Sequence, residues 1–326
     1  MREKLLLIDP ENGLYQSNVA TTFDNLGNVL KDMGRFKDSK EKYEKTLKMK
    51  EKLLKTDPEN VVYQLKVGET LNNFGALLGD MGHIEAKQMY EETLDIHEKF
   101  LKKRPENVIY QSDVAMILNN LGNFFRDTGS IKDAKEKYEK ALEMREKLLL
   151  KDSENLLYQS NLATTLNDFG NLLLNMSCIE ETKQKFEKAL EIKESLIKTN
   201  PKNSLYQSDV GDALNNLGIF FWNMGRFEEA KQKYEKALKI FEFLLKIDPV
   251  NVFYQSKVGM TLNNLGSLLA TMDQNEEAKK RFEKALETYE TLLKTDSENS
   301  SYQLNVGRTL DNLGSSLKIM GHIEKA

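Results

Sequence analysis

A Tyr-Gln pair stands at Tyr15, Tyr63, Tyr110, Tyr158, Tyr206, Tyr254 and Tyr302, and successive pairs lie 48 residues apart except Tyr63 to Tyr110, where the interval is 47. The missing residue falls in the second unit. Gly34 to Tyr43 spans nine steps and Gly82 to Tyr90 only eight, which puts a deletion near Glu85. Repetition at this period marks a stacked array, in which one unit cannot bury its apolar face alone and must pack on its neighbours.

Each unit reads as two helices. From Val62 to Met81, apolar or small residues recur at Tyr63, Val67, Leu71, Phe74, Gly75, Leu78 and Met81, the spacing of one helix face and not of a strand. Gly82 then occupies the position where a left-handed residue closes a helix. A second helix, expected to start near Ile84, carries Tyr90, Leu94, Phe100 and Leu101 and stops before Arg104-Pro105, because the residue preceding proline resists helical geometry. Asp57-Pro58, Asn200-Pro201 and Asp248-Pro249 close other units in the same way. Asn60, Asn107, Asn155, Asn203, Asn251 and Asn299 are placed to cap the next first helix. Helices of roughly 18–20 residues would be about 27–30 Å long. Alanines seven apart on the second helix (Ala134 and Ala141, Ala230 and Ala237, Ala278 and Ala285) share a face and permit close stacking. The Glu136, Lys137, Glu139, Lys140 run reads as a solvated face with an i,i+4 pair between Glu136 and Lys140.

Charge and composition exclude several functions. Lys and Arg number 47 against 51 Asp and Glu, a net charge of −4, without the basic balance that phosphate neutralisation requires, so nucleic acid is not an expected partner. No apolar run approaches the ~20 residues of a membrane span. Cys178 is the single cysteine, so no internal disulfide can form, and the leading MREKLLLIDPEN lacks a secretory pattern. A soluble, cytoplasmic chain is expected. No Gly-x-Gly-x-x-Gly, phosphate loop or Gly-x-Ser-x-Gly occurs, and His83, His97 and His322 are scattered over different units. The chain is therefore read as a non-enzyme with no cofactor and no metal site. His83 and His322, following turn glycines, are expected to be solvated.

The string Leu214 to Gly218 (Leu-Asn-Asn-Leu-Gly), then Met224-Gly225-Arg226-Phe227, then Ala230, Tyr234, Ala237 and Leu238, resembles the tetratricopeptide repeat. The resemblance recurs in every unit, although the common repeat is about 34 residues. Here both helices are lengthened at the Asp-Pro-Glu-Asn end, as in the long repeats of kinesin light chains and many prokaryotic arrays. Ser177 and Asp273 replace the turn glycine, and Ser39 and Thr182 the small residue. The resemblance implies an all-α fold, an α-solenoid of antiparallel helix pairs stacked into a right-handed superhelix. It would span 1–326 as one array of seven first helices and six complete second helices. Met1 to Asn12 matches Met144 to Asn155 at all but two positions, so partial second helices are expected at both ends. Uncapped ends allow a second reading beside peptide binding, self-association of chains head to tail.

The family resemblance further implies that first helices line a concave groove holding extended or helical peptides. On a helical wheel centred on Leu71, the opposite stripe is Lys66, Glu69, Asn73, Ala76 and Asp80. Asn73 belongs to a near-constant row, Asn25, Asn73, Asn120, Asn216, Asn264 and Asn312, broken by Asp168. Mid-helix asparagine costs about 0.6 kcal/mol relative to alanine, so the row calls for a use. A carboxamide both donates and accepts, so a ladder of them could hold a peptide main chain. Bonding to the neighbouring helix is the alternative. For the preceding row, Asn72, Asn119, Asn167, Asn215 and Asn263 with Asp24 and Asp311, the structural role is favoured. Variable rows beside the ladder would set specificity. They include Asn28, Asn123 and Asn171 (with Ala76 and Ile219) and the acidic Asp32, Asp80 and Asp127. No first helix carries the Lys and Arg four apart that clamp a C-terminal carboxylate, and the acid-leaning stripe would suit a neutral or basic segment. Trp222, the one tryptophan, could be a binding anchor or be partly buried on the next repeat.

Overall fold

The computed structural model describes residues 12–297 and 299–323, with the side chains of Ser300, His322 and Ile323 outside the description. The partial second helices expected at the two ends, the start at Met1 included, and the solvated setting expected of His322 lie outside the described residues. The fold class is all-α, an α-solenoid of helix pairs, and no strand occurs among the described residues. First helices are α1 (Gly13–Asp32), α3 (Val61–Asp80), α5 (Val108–Asp127), α7 (Leu156–Asn175), α9 (Ser204–Asn223), α11 (Val252–Thr271) and α13 (Ser300–Ile323). Second helices are α2 (Phe36–Thr56), α4 (Ala86–Lys103), α6 (Ile131–Lys151), α8 (Ile179–Thr199), α10 (Phe227–Ile247) and α12 (Asn275–Thr295). The chain divides into two compact units, Met1–Asn161 and Leu162–Ala326, and the division falls inside α7. In the first unit α1 packs on α2, α2 on α3, and so on through α6. The second unit repeats this order from α9 to α13. Successive first helices also touch, α1 with α3 and α3 with α5 in one unit, α9 with α11 and α11 with α13 in the other.

The repeated residues explain the repeated geometry. Asn60, Asn107, Asn155, Asn203, Asn251 and Asn299 all accept from backbone N–H groups of the helix they precede, as does Asn12. Each satisfies donors that a helix start leaves without intrahelical partners. Their amides also donate backward, Asn60 to Asp57 at 3.0 Å and Asn251 to Asp248 at 3.0 Å. The glutamine of the Tyr-Gln pair closes the same turn from the other side. Gln64, Gln111, Gln159, Gln207, Gln255 and Gln303 donate to the carbonyl six residues back, at 2.5 to 2.9 Å.

At the opposite end, Gly34, Gly82, Gly129 and Gly225 are left-handed, and Ser177 and Asp273 adopt the same conformation at φ 58° and 59°. The turn therefore keeps its shape where the glycine is lost. A non-glycine residue there costs of order 1–2 kcal/mol.

Packing follows the pattern of small and large residues. A Cβ on Gly122 would lie 2.8 Å from the Tyr138 ring, and one on Gly218 2.6 Å from the Tyr234 ring, so glycine is what lets the helices of a pair approach this closely. Ala134, Ala141, Ala230, Ala237, Ala278 and Ala285 are all fully buried. The expected Glu136–Lys140 pair forms at 2.8 Å.

The deletion near Glu85 has a local effect that the sequence reading placed slightly early. The other second helices begin two residues after the left-handed turn residue, but α4 begins at Ala86, four after Gly82, and not near Ile84. It has 18 residues where the others have 21. Its missing first turn is replaced by tight i→i+3 bonds, Ala86 N–H to His83 O and Lys87 N–H to Ile84 O, both 3.2 Å, and Ile84 is left 75% exposed.

One second-helix position carries a chemistry that the sequence reading missed. Lys50, His97, Arg145, Lys193, Phe241 and Tyr289 are equivalent, and all are buried. Lys50 donates to Asp24 Oδ2 at 2.8 Å, to Thr70 Oγ1 at 2.6 Å and to Lys66 O at 2.9 Å. His97 Nδ1 lies 3.4 Å from Asp113. Arg145 donates to Asn161 O, and Lys193 to Asp209 O at 3.3 Å. Phe241 and Tyr289 instead fill the position with a ring, packed where a Cβ on Gly211 or Gly259 would come within 2.6 and 2.8 Å.

Candidate interaction surface

Burial leaves each interior first helix with one accessible stripe. Along α3 from Lys66 onward, Lys66, Glu69, Asn73, Ala76, Gly79 and Asp80 remain accessible while their neighbours are buried. The same holds for Asp113, Met116, Asn120, Asn123 and Asp127 in α5, the only additions being Phe124 and Arg126 beside it. In the second unit, Asp209, Asp212, Asn216, Ile219 and Asn223 form it in α9, and Lys257, Met260, Asn264 and Ser267 in α11. The helical-wheel assignment thus places the stripe where the structure opens it, with a spacing of three and four residues.

The asparagine row lies on this stripe and is also tied to the stack. Asn120 Nδ2 donates to Asn72 Oδ1 of the preceding first helix at 2.9 Å. In the second unit Asn216 donates to Asn167 at 3.0 Å, Asn264 to Asn215 at 3.3 Å and Asn312 to Asn263 at 3.2 Å. The two rows therefore work as one inter-helix ladder. The buried row supplies acceptors and the stripe row donors. A carboxamide has two N–H groups and an acceptor oxygen, so one bond uses only part of its capacity. Asn73 is half-buried and Asn25 exposed on the same row.

Two more candidates are held by side chains of the paired helix. Asn28 Oδ1 accepts from the Tyr43 hydroxyl at 2.6 Å, and Asn123 Oδ1 from Tyr138 at 2.7 Å. Asn171 is half-buried at the equivalent position, where the facing residue is Phe186. Trp222 is half-buried and packs against the second unit's core, a cluster that contains Phe220 and Phe221.

Electrostatics differ along the stripe. Desolvation holds Asp80 above the ordinary carboxylate range. Lys31, 3.5 Å away, pulls against this, and Asp127 and Asp32 add to the rise. Burial and then the charges of Asp80 and Asp127 push the Tyr90 phenol up. In the second unit burial raises Asp209, Lys193 opposes it, and Asp212 adds to it. Lys257 pairs with Asp212 at 2.7 Å across neighbouring first helices.

Among the described residues no group of three or more His, Cys, Asp or Glu side chains is arranged to hold a metal ion, and no helix is long and apolar enough to cross a membrane. His83 is half-buried near Glu85, and Cys178 is a half-buried free thiol preceding α8.

Paired helices, a left-handed turn and small-against-aromatic packing define a helical-repeat array. The tetratricopeptide repeat model matches residues 19–59, 114–155 and 258–299, and a second model of the same repeat matches 211–243. The chain is a tetratricopeptide-repeat protein. Among solved structures it is similar to BtubC (BKLC) from P. vanneervenii, at 17% identity over 79% of this chain and 92% of that one, TM-score 0.57. It is also similar to a Rap protein complexed with Competence and Sporulation Factor, at 15% identity over 94% of this chain and 78% of that one, TM-score 0.58. The apo form of RapI aligns at 13% identity over 91% and 73%, TM-score 0.55. At these identities the likeness is one of fold. No curated protein sequence matches the chain.

Proposed function

We propose that this chain is a protein-interaction scaffold that holds an extended or helical polypeptide segment along the accessible stripe of its first helices. The observation that carries this reading is the stripe itself. In both units the interior first helices, away from their ends, are buried except along one line of polar and variable residues. Buried residues of the array maintain the stack, whereas the variable residues of the line (Glu69, Met116, Asp212, Met260) serve no packing that the repeat requires. The asparagine row adds donors and acceptors at helix-repeat spacing, suited to a main chain. The Rap protein among the similar structures was solved with Competence and Sporulation Factor bound. Occupancy of the stripe here is our proposal.

Peptides selected on the immobilised chain from a random dodecapeptide pool test it. Met116→Arg in the first unit and Met260→Arg in the second are expected to weaken the selected peptides at least ten-fold. Glu136→Arg on the outer face of α6 is expected to leave affinity unchanged. Peptides that bind equally well to both stripe variants would refute the stripe as the binding face.

A further inference from the structure

Resting on the stripe as the peptide-binding face, we propose that the cavity between the C-terminal ends of α3 and α5 is a seat for a guanidinium group, so that the first unit recognises an arginine side chain of its peptide.

The cavity, of about 630 Å3, lies at the one irregular repeat. Deletion of a residue near Glu85 strips α4 of its first turn, and the space beside Gly82, His83 and Ile84 is left open toward Phe124 and Asp127 of the next first helix. Its size lies within the range that holds small ligands, enough for a guanidinium and its aliphatic stem.

The lining has one sign of charge. Asp80 and Asp127 are the last residues of α3 and α5, where the helix dipoles also favour a cation, and among the described residues no lysine or arginine lines the cavity. Both carboxylates already engage one cation, Asp80 with Lys31 at 3.5 Å and Asp127 with its neighbour Arg126 at 2.9 Å. A carboxylate offers about four acceptor sites, so one such contact leaves room for a second donor.

An independent observation points to a ligand. Tyr43 and Tyr138 direct their hydroxyls to Asn28 and Asn123, but the residue that would receive Tyr90 is Ala76. Tyr90 is 5% exposed, lines the cavity, and has no hydrogen-bond partner among the described residues. A phenol oxygen at the cavity wall with no protein partner is available to accept from a bound donor. Phe124, half-exposed on the wall, supplies a ring face for stacking. A planar fork of donors that also stacks on aromatics is the property that separates arginine from lysine.

The test uses the intact chain and the random dodecapeptide pool. Selected peptides are expected to be enriched in arginine, and replacing that arginine by norleucine should weaken binding at least ten-fold. Asp80→Asn combined with Asp127→Asn should remove the difference between the two peptides. Ala76→Leu, which fills the cavity and keeps both carboxylates, should produce the same loss. Peptides that bind the stripe, as judged by Met116→Arg, without arginine enrichment or with indifference to the double asparagine variant would overturn the seat and leave the stripe standing. A pool from which nothing is retained on the stripe would overturn both.

Discussion

The two compact units solve the same packing problem with different chemistry. At one second-helix position the first unit buries Lys50, His97 and Arg145, while the last two repeats of the second bury Phe241 and Tyr289. The change is matched on the facing first helix. Ala20, Ala115 and Ala163 correspond to the long cations Lys50, Arg145 and Lys193. Gly68, Gly211 and Gly259 correspond to the rings His97, Phe241 and Tyr289, and each would place a Cβ within 3.0 Å of its ring. A thin aliphatic stem tolerates alanine, and a ring demands glycine. The cation in exchange needs partners, because a buried charge is tolerated only when paired and hydrogen-bonded. Asp24, Thr70 and the Lys66 carbonyl supply them for Lys50. The polar version thus ties three helices together through directed bonds, and the aromatic version fills the same space with ring contacts worth about 1.5–3 kcal/mol per side chain.

The strongest way to break this contrast is to orphan Lys50. Asp24→Ala leaves its ammonium buried without its carboxylate and should cost about 3–5 kcal/mol. Asn215→Ala, at the equivalent position of the second unit, loses only the acceptor of Asn264 and should cost about 1 kcal/mol. Denaturant unfolding followed with hydrogen exchange over α1 to α3 reads the first, and over α9 to α11 the second. The double change Asp24→Leu with Lys50→Met should return most of the lost stability, since a buried ion pair is often replaceable by apolar residues of similar volume. Equal costs for the two single alanine variants would mean that the polar position is not held by its ion pair.

A smaller effect tests the alanine–glycine correspondence. Lys193→Phe puts a ring opposite Ala163, and overpacking should destabilise by about 1–3 kcal/mol. Adding Ala163→Gly should recover at least half of that, with the remainder lost to the ~1 kcal/mol helix penalty of glycine. Thermal unfolding of the single and double variants decides it. If the added glycine makes matters worse, the correspondence is coincidental.

Much of this was legible in the sequence because a repeat shows each position several times. Apart from the start of α4, the helix limits, the asparagine caps and the stripe opposite Leu71 follow from the repeated pattern, since burial in a stack is periodic. What escaped was pairwise. Lys50, His97, Arg145 and Lys193 look like members of a charged second-helix face until their distances to Asp24, Asp113 and the neighbouring carbonyls are known, and nothing in a helical wheel marks a lysine as buried. The choice of alanine or glycine at 20, 68, 115, 163, 211 and 259 is a signal in the sequence, but it acquires meaning only beside the residue 29 or 30 positions later. The two asparagine rows stand apart in the sequence. Their joint role depends on contact between successive first helices, which no single-helix pattern contains. The interval of 47 residues marks the deletion near Glu85, yet whether a lost residue shortens a helix or tightens a turn is settled by packing.

The smallest expected effect concerns a hydroxyl. Tyr43 and Tyr234 are equivalent and both fully buried, but Tyr43 donates to Asn28 at 2.6 Å, whereas Ile219 stands where Tyr234 would find that acceptor. Among the described residues the Tyr234 hydroxyl has no partner. Burial pushes both phenols up, so each is neutral and the comparison is one of hydrogen bonding alone. Tyr43→Phe removes a made bond and should cost about 0.5–1.5 kcal/mol. Tyr234→Phe removes a desolvated hydroxyl and should be neutral or stabilising by up to about 1 kcal/mol. Ile219→Asn offers Tyr234 the missing acceptor, and in that background Tyr234→Phe should become costly, with a coupling of about 1 kcal/mol in a double-mutant cycle. Opposite signs for the two phenylalanine variants would show that one buried position carries a satisfied tyrosine in the first unit and an unsatisfied one in the second. Equal losses would show that the ring alone matters there, and the contrast between the units would then rest on the cation position.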